Sequence, residues 1–310
     1  MEIIEVKLGQ PIASTKQMAA CIGYFDGFHV GHQGLFQATL AAAKKQNLHS
    51  AIITFDPDPW VVLKGIDQMT HISSLQDRAR WALELGFDYF VLVEFTKELA
   101  TLSPTVFADQ ILIPLSIRHL VCGFDFRFGA KGEGSVQWLK EYAKATFKVQ
   151  EVPEITYEGL KISSTRITNE IEAGNMSLVT TLLSRPYQVE GYVIPGRQQG
   201  RNIGFPTANV KLKDFYIIPK RGVYIGEVVY DQQQYHAMIN IGYNPTFNTS
   251  DTISIEVHIL DFHKMIYGEL LQVRFLSYLR PEAKFASIDE LIARMQIDEH
   301  ETRVYFEEAK

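Results

Sequence analysis

The chain has 310 residues, of which 46% are hydrophobic and 21% are charged, and its formal net charge is −6. This length exceeds what one hydrophobic core usually serves, so two domains are expected, and the composition is typical of globular proteins. No block of lysine and arginine is long enough to indicate nucleic-acid binding, no apolar run approaches the ~20 residues of a membrane helix, and the N terminus lacks a signal-peptide core. We therefore expect a cytoplasmic protein that binds neither nucleic acid nor membrane.

The first half alternates short apolar runs with helical patterns. Strands are predicted at Met18–Phe25, Ser50–Phe55, Tyr89–Phe95 and His119–Gly123, and helices at Gln33–Gln46, Ser74–Leu85 and Pro104–Ile113. Apolar strands separated by helices predict a doubly wound α/β domain, whose parallel sheet is covered on both faces and binds ligands beyond the carboxyl ends of its strands. Cys21 and Cys122 lie inside two of these apolar runs, which favours burial of both over a disulfide.

The second half changes character after about Leu183. Strand-like runs with no helices between them predict an antiparallel barrel; they lie at Tyr187–Val193, Val223–Val229, Tyr235–Ile241, Ile253–Leu260 and Leu270–Leu279. The chain then ends in a helix, with a capping box at Ser287 and Glu290 and an apolar stripe of Ile288, Leu291, Ile292 and Met295. We therefore expect domains over residues 1–183 and 184–310.

The segment Gly23–His32, GYFDGFHVGH, follows the first strand directly. If a helix starts near Val30, His29 and His32 lie on neighbouring faces of its first turn, where free N–H groups favour an anion and Gly31 leaves room for it. A helix terminus supplies only ~0.3–1 kcal/mol, whereas catalysis needs at least ~8 kcal/mol, so the histidines, a metal and substrate alignment must contribute most. A tight turn with two surface histidines is the alternative. The predicted nucleotide contacts of this turn are Gly23, Phe25, Asp26, Gly27 and Gly31.

Three further segments lie at predicted strand ends of the first half. Ile162–Arg166, ISSTR, carries hydroxyls and a guanidinium that suit a triphosphate, although an N-capping serine is the plainer alternative. Gly123–Gly129 carries three aromatic side chains that suit a flat ring system, with a flexible loop as the alternative. Phe55–Pro59 is a stiff turn that could line the same cleft. The predicted ligand contacts in these segments are Gly123, Asp125, Phe128, Gly129, Ser163, Ser164, Thr165 and Arg166.

The segment Gly200–Asn209, GRNIGFPTAN, is the strongest signal of the second half. Pro206 favours an extended chain, which turns Thr207 and Asn209 to the same side, where their oxygens could hold a Mg²⁺ that bridges phosphates. A glycine-rich hairpin is the alternative. Glu256, on the polar face of its predicted strand, is a candidate general base or else a solvated residue. The predicted nucleotide contacts are Gly196, Gly200, Arg201, Gly204 and Pro206.

Together these segments resemble the bifunctional bacterial riboflavin kinase/FAD synthetase family over nearly the whole chain, and the His-x-Gly-His and Ser-Ser-Thr-Arg motifs resemble the HxGH nucleotidyltransferase superfamily. The resemblance implies a Rossmann-like domain that adenylylates FMN to FAD and a Greek-key β-barrel that phosphorylates riboflavin, both with ATP and Mg²⁺. It further implies that Thr207 and Asn209 bind the kinase Mg²⁺ and phosphate, and that Glu256 takes the proton of the 5′-hydroxyl. The implied ATP site of the adenylyltransferase comprises His29, His32, Ser164, Thr165 and Arg166.

The chain departs from the usual family pattern at four positions. Thr168 replaces an arginine, Lys161 stands where some members have arginine, Asp58 replaces a frequent histidine, and Ser184 replaces a common glycine. The missing cation at Thr168 predicts weaker stabilisation of pyrophosphate. Three alternatives stay open: a kinase with a weak or silent adenylyltransferase domain, an adenylyltransferase for another phosphorylated cofactor precursor, and a flavin or nucleotide sensor without catalysis.

Overall fold

The computed structural model describes residues 1–12, 16–196, 200, 203–244 and 252–308. The chain divides into two compact units, Met1–Ser164 and Thr165–Lys310. Among the residues described, no helix is both long and apolar enough to cross a bilayer.

The first unit contains a parallel sheet covered by helices on both faces. Its strands are β1 (Glu2–Val6), β2 (Met18–Ile22), β3 (His49–Asp56), β4 (Tyr89–Glu94), β5 (Ile117–Gly123), β6 (Arg127–Phe128), β7 (Gly134–Ser135), β8 (Lys148–Val152), β9 (Thr156–Tyr157) and β10 (Leu160–Lys161). Its α-helices are α1 (Val30–Gln46), α2 (Pro59–Lys64), α3 (Leu75–Glu84), α4 (Lys97–Ala100), α5 (Pro104–Phe107) and α6 (Val136–Tyr142), and α5 continues directly as a π-helix over Ala108–Leu112. The main sheet has the order β1-β4-β3-β2-β5-β8 with every pair parallel, which confirms the predicted doubly wound fold.

In the main sheet, two edge strands and one strand end differ from the prediction. Strands β1 and β8 were not predicted, because they lie at the two edges of the sheet and carry the polar residues that an edge position tolerates. Strand β2 ends at Ile22 rather than Phe25. Phe25, Gly27 and Phe28 have φ values of 58°, 78° and 42°, and this left-handed backbone cannot continue a strand.

The second unit is built around a closed barrel of six antiparallel strands. Its strands are β11 (Tyr187–Ile194), β12 (Ala208–Leu212), β13 (Gly222–Tyr230), β14 (Gln233–Asn244), β15 (Thr252–Ile259) and β16 (Leu270–Arg280). Their order around the barrel is β11-β12-β15-β14-β13-β16. The consecutive strands β13, β14 and β15 pair antiparallel with their neighbours, and the preceding strand β12 lies beside β15, which is the expected Greek-key order. Strand β12 was not predicted because it is short and only partly buried.

Along the chain, helices come directly before and after the barrel strands. Helices α7 (Ser164–Ala173) and α8 (Met176–Leu183) precede it, α8 packs against β11 and β16, and the chain ends in α9 (Ile288–Glu308). One half of the predicted capping box of α9 is present, since the Ser287 hydroxyl accepts a hydrogen bond from the Glu290 N–H. The Glu290 carboxylate accepts its bond from the Ala286 N–H, one residue before the N-cap. The expected boundary near Ser184 concerns functional domains and stays a prediction.

Candidate active sites

The turn after β2 is held in place by one buried carboxylate. Asp26, which is 9% exposed, accepts hydrogen bonds at 3.0 Å from the Ile72 N–H, the Ser73 N–H and the Ser73 hydroxyl. The Gly27 N–H also donates to the Ser73 oxygen, at 2.8 Å. Four hydrogen bonds thus tie this left-handed turn to the segment that precedes α3, so the turn is a fixed base for the helix that follows.

Helix α1 begins at Val30, three residues before the predicted start at Gln33, and its first turn brings the two histidines together. His29 is the N-cap, and its Nδ1 accepts a hydrogen bond from the His32 N–H at 3.3 Å. The two imidazoles stack with their ring centroids 3.6 Å apart. A Cβ atom at Gly31 would lie 3.0 Å from the His29 ring and 3.2 Å from the Ile162 carbonyl oxygen, so only glycine fits here without displacing its neighbours.

A cavity of about 240 Å³ opens at this helix terminus, beyond the carboxyl ends of β2 and β5. At its rim, the Ser164 hydroxyl donates to the Asp26 carbonyl oxygen at 3.1 Å. Thr165 and Arg166 follow in the first turn of α7. The predicted residues that line this cavity are Gly23, Phe25, His29, Gly31, His32, Gly123, Asp125, Ser163 and Ser164.

Several predicted residues of the first half lie outside this lining. The Asp26 carboxylate and Gly27 face the segment before α3, as described above. Phe128 is buried in the core and stacks on Phe126, whereas Gly129, with φ of 70°, packs against Pro104. Phe124 and Phe126 do line the cavity, so the aromatic loop contributes two of its three rings.

The stiff turn at Phe55–Pro59 also has a structural use. The Asp58 carboxylate caps α2 by accepting a hydrogen bond from the Trp60 N–H at 2.6 Å, and it lies 3.6 Å from Nδ1 of His71. None of the five residues of this turn is among those that line the described cavity.

Two cavity residues, Tyr24 and Lys161, were not singled out as ligands from the sequence. The Arg78 guanidinium donates to the Tyr24 carbonyl oxygen and lies 4.6 Å from the Tyr24 ring centroid. Burial raises the pKa of Tyr24 well above its usual value, although the charge of Arg78 opposes the rise. The Lys161 ammonium donates to the Asp125 carboxylate at 2.5 Å across the cavity mouth. Its sequence signal is its position just before the Ser-Ser-Thr motif.

In the second unit, the glycine-rich segment folds back on itself before β12. The Phe205 N–H donates to the Gly200 carbonyl oxygen at 2.8 Å, and Gly204 has a φ of 87°. The Pro206 carbonyl oxygen accepts a hydrogen bond at 2.8 Å from Nδ1 of His258, which is buried. A Cβ atom at Gly200 would lie 2.2 Å from the Phe205 carbonyl oxygen, so a side chain there is incompatible with this turn. Arg201 lies outside the described residues.

Three polar residues form a row across adjacent barrel strands. Glu256 on β15 lies directly opposite Asn209 on β12 and Asn240 on β14, and direct cross-strand partners share one face of a sheet. The predicted alternation of β15 is confirmed around Glu256, since Ile255 and Val257 on either side are buried. Gly196 packs on this row, because a Cβ atom there would lie 2.1 Å from Nδ2 of Asn209.

Two cavities lie on either side of the Pro206–Thr207 segment. The larger, of about 310 Å³, is lined by Glu256, Asn240, Arg280 and Thr207, and by Leu291 and Met295 of α9, which the sequence had assigned only to an apolar stripe. The smaller, of about 80 Å³, is lined by Pro206, Thr207, Lys264 and Tyr267 among others. Thr207 lines both cavities, so a group bound in one can meet a group bound in the other at this residue.

Comparisons with known proteins match the two halves of the chain to two different families. A FAD synthetase family model matches residues 12–166, and a riboflavin kinase family model matches residues 183–306. Two relatives are named bifunctional riboflavin kinase/FMN adenylyltransferase. The one from Listeria monocytogenes is 42% identical over 92% of this chain and 91% of its own length, and the one from Bacillus subtilis is 36% identical over the same shares. A crystal structure described as a macrolide-efflux protein from Streptococcus pneumoniae matches with a TM-score of 0.90 and 34% identity, over 97% of this chain and 98% of that one.

Proposed function

The chain belongs to the bifunctional riboflavin kinase/FMN adenylyltransferase family, and we propose that the cavities described above are its two active sites. It phosphorylates riboflavin with ATP to FMN, and then adenylylates FMN with a second ATP to FAD and pyrophosphate. One observation carries the site assignment: each of the two units has a cavity lined by residues that the sequence motifs single out. These residues are His29 and His32 in the first unit, and Thr207 and Glu256 in the second.

In the kinase, we assign riboflavin to the larger cavity and the ATP phosphates to the smaller one. The larger cavity has apolar side chains that can pack against the flavin rings, and Glu256 lines the same cavity. The Glu256 carboxylate takes the proton of the 5′-hydroxyl while that oxygen attacks the γ-phosphorus of ATP. A new P–O bond forms, the bond to the β-phosphate oxygen breaks, and ADP leaves. Thr207 lies at the boundary of the two cavities, where the phosphoryl group crosses.

The oxygens of Thr207 and Asn209 suit a Mg²⁺ ion. Mg²⁺ prefers oxygen ligands and is usually held by few protein groups, together with water and substrate phosphates. Among the residues that the structure describes, no three His, Cys, Asp or Glu side chains are grouped for metal binding. When bound, the ion would neutralise charge that develops on the phosphates. We assign Gly196, Gly200, Arg201, Gly204 and Pro206 to the surrounding nucleotide segment.

In the adenylyltransferase, a phosphate oxygen of FMN attacks the α-phosphorus of ATP, and pyrophosphate leaves. No protein nucleophile is needed, so alignment and charge stabilisation carry the reaction. The N–H groups at the start of α1 and the imidazoles of His29 and His32 can donate hydrogen bonds to the phosphate oxygens. Ser163 and Ser164, with Thr165 and Arg166 directly after them in the chain, are the proposed ligands of the leaving pyrophosphate. We assign Asp26 a positioning role, since its carboxylate is used by the segment before α3.

Two further assignments rest on the family. We propose functional domains over residues 1–183 and 184–310, supported by a riboflavin kinase match that begins at residue 183. We also propose a cytoplasmic enzyme, because Cys21 and Cys122 are both free thiols.

A coupled assay tests both activities in one tube. Incubation with riboflavin, ATP and Mg²⁺ should yield FMN first and FAD later, both resolved by chromatography. FMN without FAD would identify a kinase with a silent adenylyltransferase domain. Conversion of another phosphorylated precursor, but of no flavin, would identify a different adenylyltransferase. Riboflavin binding without ATP consumption would identify a sensor.

The variant Glu256→Gln tests the proposed base. The amide keeps the size of the side chain but cannot accept the hydroxyl proton, so we expect riboflavin phosphorylation to fall by about 10²–10⁴-fold. Adenylylation of added FMN should continue at the parent rate in the same preparation. Phosphorylation at the parent rate would show that Glu256 is not the base.

A further inference from the structure

The C-terminal helix forms one wall of the larger cavity. Leu291, Met295 and Asp298 of α9 all line it, and their spacing of four and three residues places them on one face of the helix. Leu291 and Met295 are half-buried, so they present apolar surface to the cavity. The width of this cavity therefore depends on how closely the first half of α9 approaches the barrel.

One buried carboxylate joins this half of the helix to the barrel. Asp298, which is 2% exposed, accepts hydrogen bonds from Nε of Arg280 at 2.9 and 3.0 Å and from its Nη2 at 2.6 Å. Arg280 ends β16, and its Nη1 donates to the Pro281 carbonyl oxygen at 3.0 Å. Asp298 also lies 2.8 Å from Nη2 of Arg294 on its own helix. Both carboxylate oxygens of Asp298 are thus used within the protein.

Two other contacts hold the second half of the helix independently. Arg303 donates to the Asp261 carboxylate at 2.8 and 2.9 Å, but these side chains are 40% and 76% exposed, and exposed pairs contribute little. Phe306 stacks on His236 with ring centroids 3.6 Å apart. Loss of the Asp298 contact should therefore release the first half of α9, which carries Leu291 and Met295, while the second half stays attached.

We infer that Asp298 is a positioning residue of the riboflavin kinase: by holding Arg280, it fixes the helix wall against which the flavin binds. The inference rests on the proposed assignment of riboflavin to this cavity. A buried ion pair is strongly destabilised when one partner is removed, whereas a surface pair is not, so Asp298 and Asp261 should differ sharply in effect. The ATP phosphates lie on the other side of Thr207 and should be indifferent to the helix.

The test compares Asp298→Asn with the matched control Asp261→Asn, both in the full chain. We expect the dissociation constant for riboflavin, measured by quenching of its fluorescence, to rise about tenfold or more in Asp298→Asn. The kcat at saturating riboflavin and the KM for ATP should change by less than about twofold, since the reacting groups are intact. The control should match the parent in all three. Unchanged riboflavin binding in Asp298→Asn, or an equal loss in the control, overturns the inference.

Arg280→Lys covers the case in which Asp298→Asn does not fold. Lysine keeps the charge but replaces the arginine fork by a single point contact, so we expect a smaller rise in the same dissociation constant with the barrel still folded by circular dichroism. Parent-like riboflavin binding in folded Arg280→Lys contradicts the inference.

Met295→Trp tests separately the assignment of riboflavin to the larger cavity, on which this inference rests. The larger side chain fills the cavity and should abolish riboflavin binding. If Met295→Trp binds riboflavin like the parent, the cavity assignment fails. If Met295→Trp loses riboflavin but Asp298→Asn does not, only the positioning role of Asp298 fails.

Discussion

At the scale of single residues, buried polar groups shape both units. Asp26 uses its carboxylate to hold the turn before α1, and Asp298 uses its carboxylate to hold α9. His119 on β5 is also buried and lies between two amides: its Nδ1 is 2.7 Å from Nε2 of Gln46, and its Nε2 is 2.9 Å from Oε1 of Gln150. Each group is satisfied by partners far along the chain, which makes each sensitive to a single substitution.

Asp26→Asn should slow the adenylyltransferase alone. An amide has one acceptor oxygen instead of two, so at least one donor before α3 loses its partner, and the loop that presents His29 loosens. We expect kcat/KM for adenylylation of FMN to fall by about tenfold or more, because small displacements at an aligned site are costly. Asp26→Asn should phosphorylate riboflavin at the parent rate. The control Asp67→Asn, at an exposed position, should match the parent in both activities. Full adenylylation activity in Asp26→Asn would remove the proposed positioning role.

His119 should make the first unit less stable in mild acid. Burial lowers the pKa of His119 below its ordinary value of about 6.5, so the folded protein keeps the ring neutral while the unfolded chain protonates it. Stability is therefore unaffected above about pH 7 and falls as the pH drops through the unfolded value of about 6.5. The urea midpoint of His119→Gln should decline less than that of the parent between pH 7.5 and 5.5. Identical declines would contradict this linkage.

At the scale of elements, the residue spacing within a helix or strand sets which way the reactive side chains point. Close packing around them limits which residues can be their neighbours. The first turn of α1 carries both histidines, and β15 directs Glu256 away from the buried Ile255 and Val257. At Gly31, helix propensity and packing favour different residues. Within a helix, glycine is less favourable than alanine by about 1 kcal/mol, yet a Cβ atom here would press on the His29 ring.

Gly31→Ala should therefore separate stability from activity. We expect adenylylation of FMN to fall by about tenfold or more, because His29 is displaced from its capping position. The thermal midpoint should stay level or rise, because alanine favours the helix. The comparison variant is Gly34→Ala, three residues further along α1, where a Cβ atom would lie 2.7 Å from Cδ1 at the flexible end of Ile155 and 3.6 Å from Cγ1 of Val152. Equal losses in both variants would refute the contact with His29.

At the scale of the whole molecule, the described cavities belong to two units of the chain. The cavity at His29 and His32 is lined by residues of 1–164, and the two cavities that share Thr207 are lined by residues of 165–310. The two steps share only FMN, the product of one and the substrate of the other. Among the described residues, each cavity is lined by residues of one unit, so loss of one activity should leave the other intact.

A mixture of two inactive variants should restore the full sequence of reactions. We expect His32→Ala to convert riboflavin only to FMN, and Glu256→Gln to form FAD only from added FMN. Mixed in equal amounts with riboflavin, ATP and Mg²⁺, they should produce FAD, because FMN released by one variant diffuses to the other. Each variant alone is the control. FMN accumulation without FAD in the mixture would show that the two steps require one intact molecule.

Local patterns were sufficient for the elements and for part of each site. Apolar runs separated by helices predicted the parallel sheet, and strands without helices predicted the barrel, because burial on one or two faces imposes a period on the sequence. The existence of α1 and the outward direction of Glu256 followed from the same periods, although α1 begins three residues before the predicted Gln33. The edge strands β1 and β8 and the short strand β12 did not, since edge and partly buried strands carry too little of that pattern.

By itself, the sequence determined the two fold classes, the pairing of His29 with His32 and the face on which Glu256 lies. Only the tertiary structure decided that Asn240, Arg280 and the α9 residues meet around Glu256, and that Phe128 enters the core while Phe124 and Phe126 line a cavity. The physical reason is the range of the contacts. Spacing within one regular element orients its side chains relative to each other, whereas strand register and helix docking join residues whose separation along the chain carries no period.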